Sequence, residues 1–225
     1  MANTTVKERP ILFSGPMVRA ILAGHKTQTR RMVKPQPKPN EFDSPTACKW
    51  YSPTMVDRHG EEYPGDEVFG IANENRGWIC PYGAPGERLY VRETLEAVVD
   101  TKFDESEAMP IARYAADCSH IWTPGPRREP WIWKNRALPS IHMPRRLSRI
   151  ILEITGVRAE WLQDISEDDA KAEGCDGDCP VGSIPAYLKG PHSYHYAQLW
   201  DQINGFGAWD LNPWVWVVEF KRIAL

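Results

Sequence analysis

A short polar run follows a helix-like apolar pattern near the start of the sequence, in the stretch AILAGHKTQTRR at residues 20–31. It sets Lys26 three positions before Thr29 and places arginines at 30 and 31. A threonine hydroxyl becomes a nucleophile when a neighbouring base takes its proton, and a lysine is such a base only where burial or a nearby cation lowers its pKa. The spacing therefore indicates a candidate nucleophile and its base.

A carboxylate beside the lysine completes such an arrangement, because it orients the amine and shares its proton. The segment LQDISEDDAKAEG, residues 162–174, supplies Glu173 as the candidate, with Glu167, Asp168 and Asp169 as alternatives. Backbone N–H groups of residues 27–31 are candidates for stabilising an oxyanion. The opposing interpretation is that a lysine and a threonine in a loop after a helix are exposed and idle. The elements that position them decide between the two.

Three helices and a set of strands are predicted around this loop. Residues 15–23 follow Ser14 as a cap, carry Pro16 in the first turn and end before Gly24, which leaves Lys26 beyond the helix. The other helices are 167–173, capped by Ser166, and 194–204, whose apolar stripe indicates core packing. Runs rich in Val, Ile, Tyr and Trp predict strands in a small curved sheet or barrel, at 87–99, 111–117, 131–134, 149–162 and 214–223.

Segments dense in Pro, Gly and charge separate these elements. They predict a single domain over 1–225 with irregular insertions at about 35–84, 100–110 and 174–192. With 42% hydrophobic and 11% aromatic residues, the 225-residue chain is long enough to bury a sizeable core.

Charge and cysteine content narrow the classes of function. A net charge of −3 and a pI near 6.1 argue against coating nucleic acid by bulk charge, although local basic patches remain. The N-terminus lacks the apolar run of a signal peptide and no stretch is long enough to cross a bilayer, so the sequence predicts a cytoplasmic protein with no membrane partner. Five cysteines indicate reduced thiols rather than a disulfide framework.

One competing pattern is a zinc site. Its ligands would be Cys175, Cys179, His192 and His195, in a C-x3-C-x12-H-x2-H spacing that approaches that of a tetrahedral zinc site. Such a site would hold an insertion in place rather than serve catalysis. The histidine gap is shorter than in a zinc finger, and the segment between the pairs is rich in proline. The sequence has no HExxH, phosphate loop, GxSxG or dinucleotide fingerprint, so we expect chemistry with no metal and no cofactor.

Four segments, taken in order, resemble the ASCH family of the PUA-like superfamily. The family pattern Gly-x-Lys-x-x-(Glu or Thr)-x-Arg falls on Gly24, Lys26, Thr29 and Arg31. PGERLYVRET at 85–94, LQDISEDDAKAEG and the closing WVWVVEFKRI also agree, which covers about half of the chain. The resemblance implies an α+β fold, a PUA-like small β-barrel with flanking helices and long irregular insertions, in a protein of the kind common in phages and prophages.

The residue at position 29 divides that family. Members with threonine resemble small amidohydrolases that remove the acetyl group from N4-acetylcytidine. By this resemblance Thr29 matches the nucleophile, Lys26 the base and Glu173 the carboxylate. Two alternatives stay open: a non-catalytic module that binds RNA or a modified base through Lys26 and Arg31, and a ribonuclease.

Further residues are candidates for substrate binding. Arg92 and Glu93 are placed to hydrogen-bond the Watson–Crick edge of a pyrimidine, against the alternative of an ion pair between strands. Tyr114 is a candidate to stack on a base, against the alternative of core packing. Thr27 and Arg31 complete the set. The predicted partner is a modified nucleoside or nucleic acid, and the acyl group, the choice of free nucleoside or polymer, and the oligomeric state stay open.

Overall fold

Strands make up most of the regular structure in the computed structural model, which describes residues 6–38, 41–42, 45–98, 110–122, 133–175 and 190–224. Within these ranges the chain is a mixed α+β protein with many strands in sheets and few helices. The strands are β1 (Glu8–Leu12), β2 (Gln28–Met32), β3 (Thr46–Ala47), β4 (Lys49–Tyr51), β5 (Thr54–Val56), β6 (Glu62–Pro64), β7 (Val68–Ala72), β8 (Gly77–Ile79), β9 (Arg88–Arg92), β10 (Leu95–Ala97), β11 (Pro110–Tyr114), β12 (His120–Trp122), β13 (Ala137–Leu138), β14 (Ile151–Trp161) and β15 (Trp214–Ile223).

The largest sheet carries the order β1-β9-β14-β15-β2, with β3 paired to β14. β1 and β9 run parallel, and the other neighbours in this sheet are antiparallel. β14 and β15 pair along almost their whole length, from Ile151 opposite Ile223 to Trp161 opposite Trp214, with a bulge before Gly156. β1 and β2 are therefore the two edges of the sheet, and α1 (Gly15–Leu22) connects them.

Alternation along β15 divides the apolar core in two. Trp214, Trp216 and Val218 face a core shared with β1, β9 and β14, whereas Val215 and Val217 face a second core beneath the helices α2 (Glu167–Ala172) and α3 (Pro191–Asn204). All five side chains are buried. Because successive side chains of a strand point to opposite faces, a strand that is apolar on both faces has to be covered on both.

Helix boundaries follow local chemistry closely. α1 has Pro16 in its first turn, as predicted, and buries Val18 and Ile21, but the Ser14 side chain makes no capping hydrogen bond. α2 begins with a capping box in which Ser166 and Asp169 satisfy each other's backbone N–H groups. α3 begins at Pro191, three residues before the predicted start, since proline suits the first turn of a helix.

Two sequence expectations differ from the structure. The predicted strand 87–99 breaks after Arg92, and β10 continues in a separate sheet of order β12-β11-β10-β13. The predicted strand 131–134 is wrong where it is described, because Trp133 and Lys134 lie in a bend and the strand begins at Ala137. Residues 131 and 132 lie outside the described ranges.

The segment 35–84, expected to have little regular structure, contains six short strands. β4, β7 and β8 form a sheet, β5 and β6 form a hairpin, and Ile71 and Trp78 are buried in the main core. Strands of two to five residues are too short to give a periodic signal in the sequence. The other two expected insertions fall largely outside the described residues.

In the described part of the chain, none of the helices has the length and apolar character needed to span a membrane.

Candidate functional site

The loop between α1 and β2 turns Lys26 into the protein. Gly24 adopts a φ of +79°, a left-handed conformation that a glycine takes without strain, and the backbone N–H groups of His25 and Lys26 both donate to the Ala20 carbonyl oxygen, at 2.9 and 3.1 Å. The chain reverses at once after the helix. As a result the Lys26 side chain is completely buried.

Glu173 is the acid that meets this lysine. Lys26 Nζ lies 2.6 Å from Glu173 Oε2 and donates a second hydrogen bond, of 2.9 Å, to the Glu173 carbonyl oxygen. The Thr27 N–H donates to the Ala172 carbonyl oxygen at 2.8 Å, which ties the end of α2 to the loop. Gly174 follows at a φ of +83°, where a Cβ would come within 3.2 Å of Lys26 Cβ. The close approach therefore depends on a glycine after Glu173.

The burial of Lys26 and the charges near it shift its pKa in opposite directions. Burial lowers the pKa of Lys26 because a charged amine is poorly solvated there, Glu173 raises it, and the positive charge of Arg31 lowers it again. The net direction is a pKa below the usual range of a lysine. An amine in this state gives up its proton more readily than an exposed one, as a general base requires.

A second cation, Arg30, lies against the same carboxylate. Its guanidinium is fully buried and contacts Glu160 Oε1 at 2.7 Å, Asp169 Oδ2 at 3.3 Å and Glu173 Oε1 at 3.6 Å. It also donates to Gln28 Oε1, and Gln28 in turn donates to Asp169 Oδ1 at 2.9 Å. Glu173 differs from the other side chains of this group, because its close hydrogen bond is to Lys26 and it approaches Arg30 only to 3.6 Å.

These contacts fix α2 on the sheet. Asp169 and Glu173 are four residues apart and share one face of the helix. Asp169 is held by Gln28, Ser166 and the charge of Arg30; burial alone raises its pKa, but these contacts outweigh burial and leave it below the usual range. The position of Glu173 against Lys26 is set one helical turn earlier, at Asp169.

Glu173 opens on a cleft of about 60 Å³ between β2 and α3. Thr29, Arg30, Arg31 and Glu173 line its polar side, and α3 and neighbouring residues form an apolar and aromatic side, made of Met17, Met32, Tyr196, Leu199, Trp200, Ile203 and Asn204. Within the described residues, the buried atoms Glu173 Oε1, Arg30 Nε and Arg31 Nε have no hydrogen-bond partner. Buried polar atoms without a partner are candidates for binding a ligand.

The outer edge of β2 offers backbone donors to the same cleft. The Phe220 N–H donates to Thr27 and the Val33 N–H to Trp214, so the odd-numbered residues of this strand are the ones hydrogen-bonded to β15. In an antiparallel pair the alternate residues point their N–H groups away from the partner. The N–H groups of Gln28, Arg30 and Met32 therefore face the free edge.

Of the two predicted binding residues next to Lys26 and Thr29, the structure places Arg31 in the cleft and Thr27 outside it. Arg31 lines the cleft, and its Nη2 donates to the Leu12 carbonyl oxygen at 2.6 Å, which links the two edges of the sheet. Thr27 is exposed, its backbone N–H and C=O are both hydrogen-bonded, and it does not line the cleft.

The other three predicted binding residues lie away from this cleft. Arg149 binds Glu93 Oε2 at 2.7 Å and lies 3.8 Å from the centre of the Tyr114 ring, whose hydroxyl donates to the Leu147 carbonyl oxygen at 2.8 Å. Arg92 donates to the Ile141 carbonyl oxygen at 3.0 Å. Glu93 is thus in an ion pair, with Arg149 rather than Arg92, and Tyr114 belongs to a small core with Leu95 and Leu138.

Only part of the predicted zinc pattern lies within the residues that the structure describes. His192 Nδ1 lies 2.8 Å from the carbonyl oxygen of Cys175, and Cys179 lies outside the described ranges. In the ranges that are described, no cluster of three or more His, Cys, Asp or Glu side chains has the arrangement of a metal site.

Sequence reasoning missed Tyr196 and the contacts of Arg30. Tyr196 was assigned to core packing, which is correct, but it also lines the cleft, and Arg30 lies 5.9 Å from its ring centre. Burial and the nearby Glu173 raise its pKa well above 10. The available signal was the alternation in β2, where Gln28, Arg30 and Met32 share the face that a helix covers.

Comparisons with family models, with curated proteins and with solved structures found no match to this chain.

Proposed function

We propose that this protein is an amidohydrolase that removes the acyl group from an N4-acylated cytidine or a related modified base. The observation that carries the proposal is the buried Lys26–Glu173 pair, with an amine of lowered pKa, together with the cleft that Glu173 and Thr29 both line. The ASCH resemblance predicted these three residues as base, carboxylate and nucleophile. A hydroxyl nucleophile, a base that takes its proton and a group that orients the base are sufficient for metal-free acyl transfer.

The reaction divides into two acyl transfers. Thr29 Oγ1 attacks the acyl carbonyl carbon while its proton passes to the neutral amine of Lys26, and the tetrahedral oxyanion takes hydrogen bonds from N–H groups at the free edge of β2. The C–N bond then breaks, and Lys26 returns the proton to the departing N4 amine. Water hydrolyses the threonine ester with Lys26 again as the base, which releases the carboxylic acid and restores the hydroxyl.

The unpartnered atoms of the cleft suit such a base. An N4-acylcytosine presents an N–H next to a ring nitrogen that accepts a hydrogen bond. Glu173 Oε1 is an acceptor and Arg30 Nε a donor, and the two side chains lie 3.6 Å apart at their nearest charged atoms. Buried polar atoms that find no partner within a protein cost free energy until a ligand satisfies them.

We also propose that the chain has the PUA-like fold that the resemblance implies. A PUA-like barrel is supported by the sheet order β1-β9-β14-β15-β2, by α1 joining the two edge strands, and by the Arg31–Leu12 hydrogen bond across the remaining gap. The Lys-x-x-Thr motif follows α1, with Lys26 before β2 and Thr29 within it.

A non-catalytic module that binds RNA or a modified base is the second candidate. The unpartnered Arg31 Nε and the aromatic side chains of α3 in the cleft favour it, since both groups serve binding as well as catalysis. A module of this kind holds its ligand without releasing a product.

The test measures release of cytidine from N4-acetylcytidine by ultraviolet absorbance. We expect turnover by the wild type, a loss of at least about 10³-fold in Thr29→Ala and Lys26→Ala, and partial retention in Thr29→Ser, which keeps a hydroxyl. Thr54→Ala and Lys49→Ala, exposed residues of β5 and β4, are the matched controls and should keep full turnover. No turnover by the wild type, with binding of cytidine retained, would favour the module.

A further inference from the structure

One segment of the chain, residues 133–149, carries a concentrated positive charge. It contains five lysines and arginines and one histidine, and no aspartate or glutamate, in a protein whose net charge is −3. Lys134, Arg136, His142 and Arg146 in this basic segment are exposed. An excess of positive charge confined to one region of an acidic protein draws anionic partners to that region.

The basic segment is fixed to the rest of the fold. Two short 3-10 helices lie in it, Ser140–His142 and Arg145–Leu147. Between them Met143 is fully buried in the small core that contains part of β10, and the Ser148 hydroxyl donates to the Val91 carbonyl oxygen of β9 at 2.8 Å. The backbone that carries the cations is therefore held in place, which reduces the conformational entropy lost when a partner binds.

Side-chain contacts join the basic segment to β9 in one continuous surface. Arg92 of β9 donates to the Ile141 carbonyl oxygen at 3.0 Å. The guanidinium groups of Arg92 and Arg145 lie 5.8 and 5.2 Å from the centre of the Tyr90 ring. The surface therefore includes Arg92 along with the cations of the segment.

Three acids beside this surface are paired with arginines. The pairs are Glu8–Arg145, at 2.7 Å, Glu93–Arg149, at 2.7 Å, and Glu96–Arg113, at 2.6 Å. The exposed cations Lys134 and Arg136 lie outside these pairs. Within the described residues, the surface therefore keeps a positive net charge.

An aromatic pair lies within the same surface. The rings of Trp133 and His142 are stacked, with their centres 4.6 Å apart and their planes 24° from parallel. Trp133 is partly buried against the small core, whereas His142 is exposed. A flat ring supported in this way is a platform on which an unpaired base can stack, as bases do on the aromatic side chains of nucleic-acid-binding proteins.

We propose that this surface binds a single-stranded nucleic acid, with phosphates at the exposed cations and a base stacked on the Trp133–His142 pair. The inference goes beyond the reaction proposed for the cleft and does not depend on it. Phosphodiesters supply the negative charge that the surface attracts, and unpaired bases supply flat faces for stacking. A lipid surface or an acidic protein would match the charge but not the stacked rings.

The test measures binding of fluorescein-labelled oligouridylate and of its DNA counterpart by fluorescence anisotropy at pH 8, where an exposed histidine is neutral. We expect a Kd of roughly 1–100 μM at physiological salt, rising with salt concentration. Lys134→Gln/Arg136→Gln should weaken binding about tenfold and reduce the slope of log Kd against log salt by about 1. His142→Ala should weaken binding about fivefold and leave the slope unchanged, because stacking releases no counterions. The control Lys49→Gln/Arg58→Gln removes two exposed cations elsewhere and should bind as the wild type does.

Several results would overturn the inference: no binding of either strand, an equal loss in the control variant, or binding to phosphatidylserine vesicles alone. Equal affinity for RNA and DNA would support recognition through phosphate and base, and tighter binding of RNA would support it with an added contact to the ribose 2′-hydroxyl. Turnover of N4-acetylcytidine should be unchanged in all of these variants. The amidohydrolase proposal therefore stands or fails separately.

Discussion

Two clusters of charged side chains in this molecule contain similar residues but differ in their hydrogen bonding. One, here called the cleft group, consists of Lys26, Arg30 and Glu173; the other, called the clamp group, consists of Glu93, Asp117 and Arg149. Each has a nearly buried glutamate against a cation at 2.6 or 2.7 Å, and each adjoins a tyrosine ring, Tyr196 or Tyr114.

The two groups differ in whether all of their polar atoms have hydrogen-bond partners. In the clamp group, Arg149 reaches both oxygens of Glu93 and both of Asp117, so its hydrogen bonds join β9 to the sheet that contains β11. In the cleft group, Glu173 Oε1 and Arg30 Nε have no hydrogen-bond partner within the described residues, and both side chains line the cleft. A saturated cluster is a structural joint, whereas one with unpartnered atoms beside a cavity is a candidate binding site.

Removing the cation of the cleft group should have the largest effect. Lys26→Met leaves Glu173 buried without its nearest cation, and we expect the free energy of unfolding to fall by about 3–5 kcal/mol. Urea denaturation followed by tryptophan fluorescence measures it. The double variant Lys26→Met/Glu173→Gln should regain part of the loss, because it buries no charge at either position; a single variant within about 1 kcal/mol of wild type would show that the pair is not buried as described.

The corresponding change in the clamp group should affect stability alone. Arg149→Met removes the cation shared by Glu93 and Asp117, and since Arg149 is partly exposed we expect a smaller loss, about 2 kcal/mol. Turnover of N4-acetylcytidine per folded molecule should match the wild type. Should turnover fall as far as it does in Thr29→Ala, the two groups form one site and the contrast between them is wrong.

The pH dependence of turnover sharpens the comparison. Burial holds the pKa of Lys26 below its ordinary 10.5, and a base must be neutral, so kcat/KM should rise with pH along a limb whose midpoint lies below 10.5. Glu173 raises the pKa of Lys26, so Glu173→Gln should lower it further and move the limb about one pH unit towards acid. A limb that moves towards alkali would contradict the role given to Glu173.

The smallest expected effect is the contribution of the clamp group to stability at acid pH. Burial raises the pKa of Asp117, but hydrogen bonds from Arg149 and Ser119 outweigh it and bring the pKa from 3.8 to about 2. The resulting stabilisation is present above pH 3.8 and is lost as the pH falls to 2. Because Asp117 is exposed we expect less than about 1 kcal/mol. The stabilities of wild type and Asp117→Asn should differ most at pH 5 and converge as the pH falls through 2.

Local patterns in the sequence predicted the elements that carry the cleft group. Gly24 ended α1, the Ser166 cap and the acids after it marked α2, and the apolar run at 214–223 predicted β15 at its exact bounds. Each of these signals lies within one turn or one strand. They were enough to place Lys26 after a helix and Glu173 at the end of another, although the contact between the two depends on the fold.

The signals that failed depend on distant parts of the chain. Nothing in YVRET shows that the strand breaks after Arg92, so Glu93 and Tyr114 were predicted beside the cleft, whereas the structure places them with Arg149 in the clamp group. The Arg30 side chain faces α2 because β2 begins at Gln28 and successive side chains of the strand point to opposite faces of the sheet. A shift of one residue in that start would exchange the faces of Thr29 and Arg30.

β2 is the last strand of the largest sheet, and among the described residues no strand pairs with the backbone N–H and C=O groups of its outer edge. Such an edge invites pairing with another chain, which is how many folded proteins aggregate. Here α3 lies along that edge and forms the opposite wall of the cleft. The helix that shapes the cleft therefore also shields the strand, and a change that disrupts α3 alone would remove one wall of the cleft and expose this edge together.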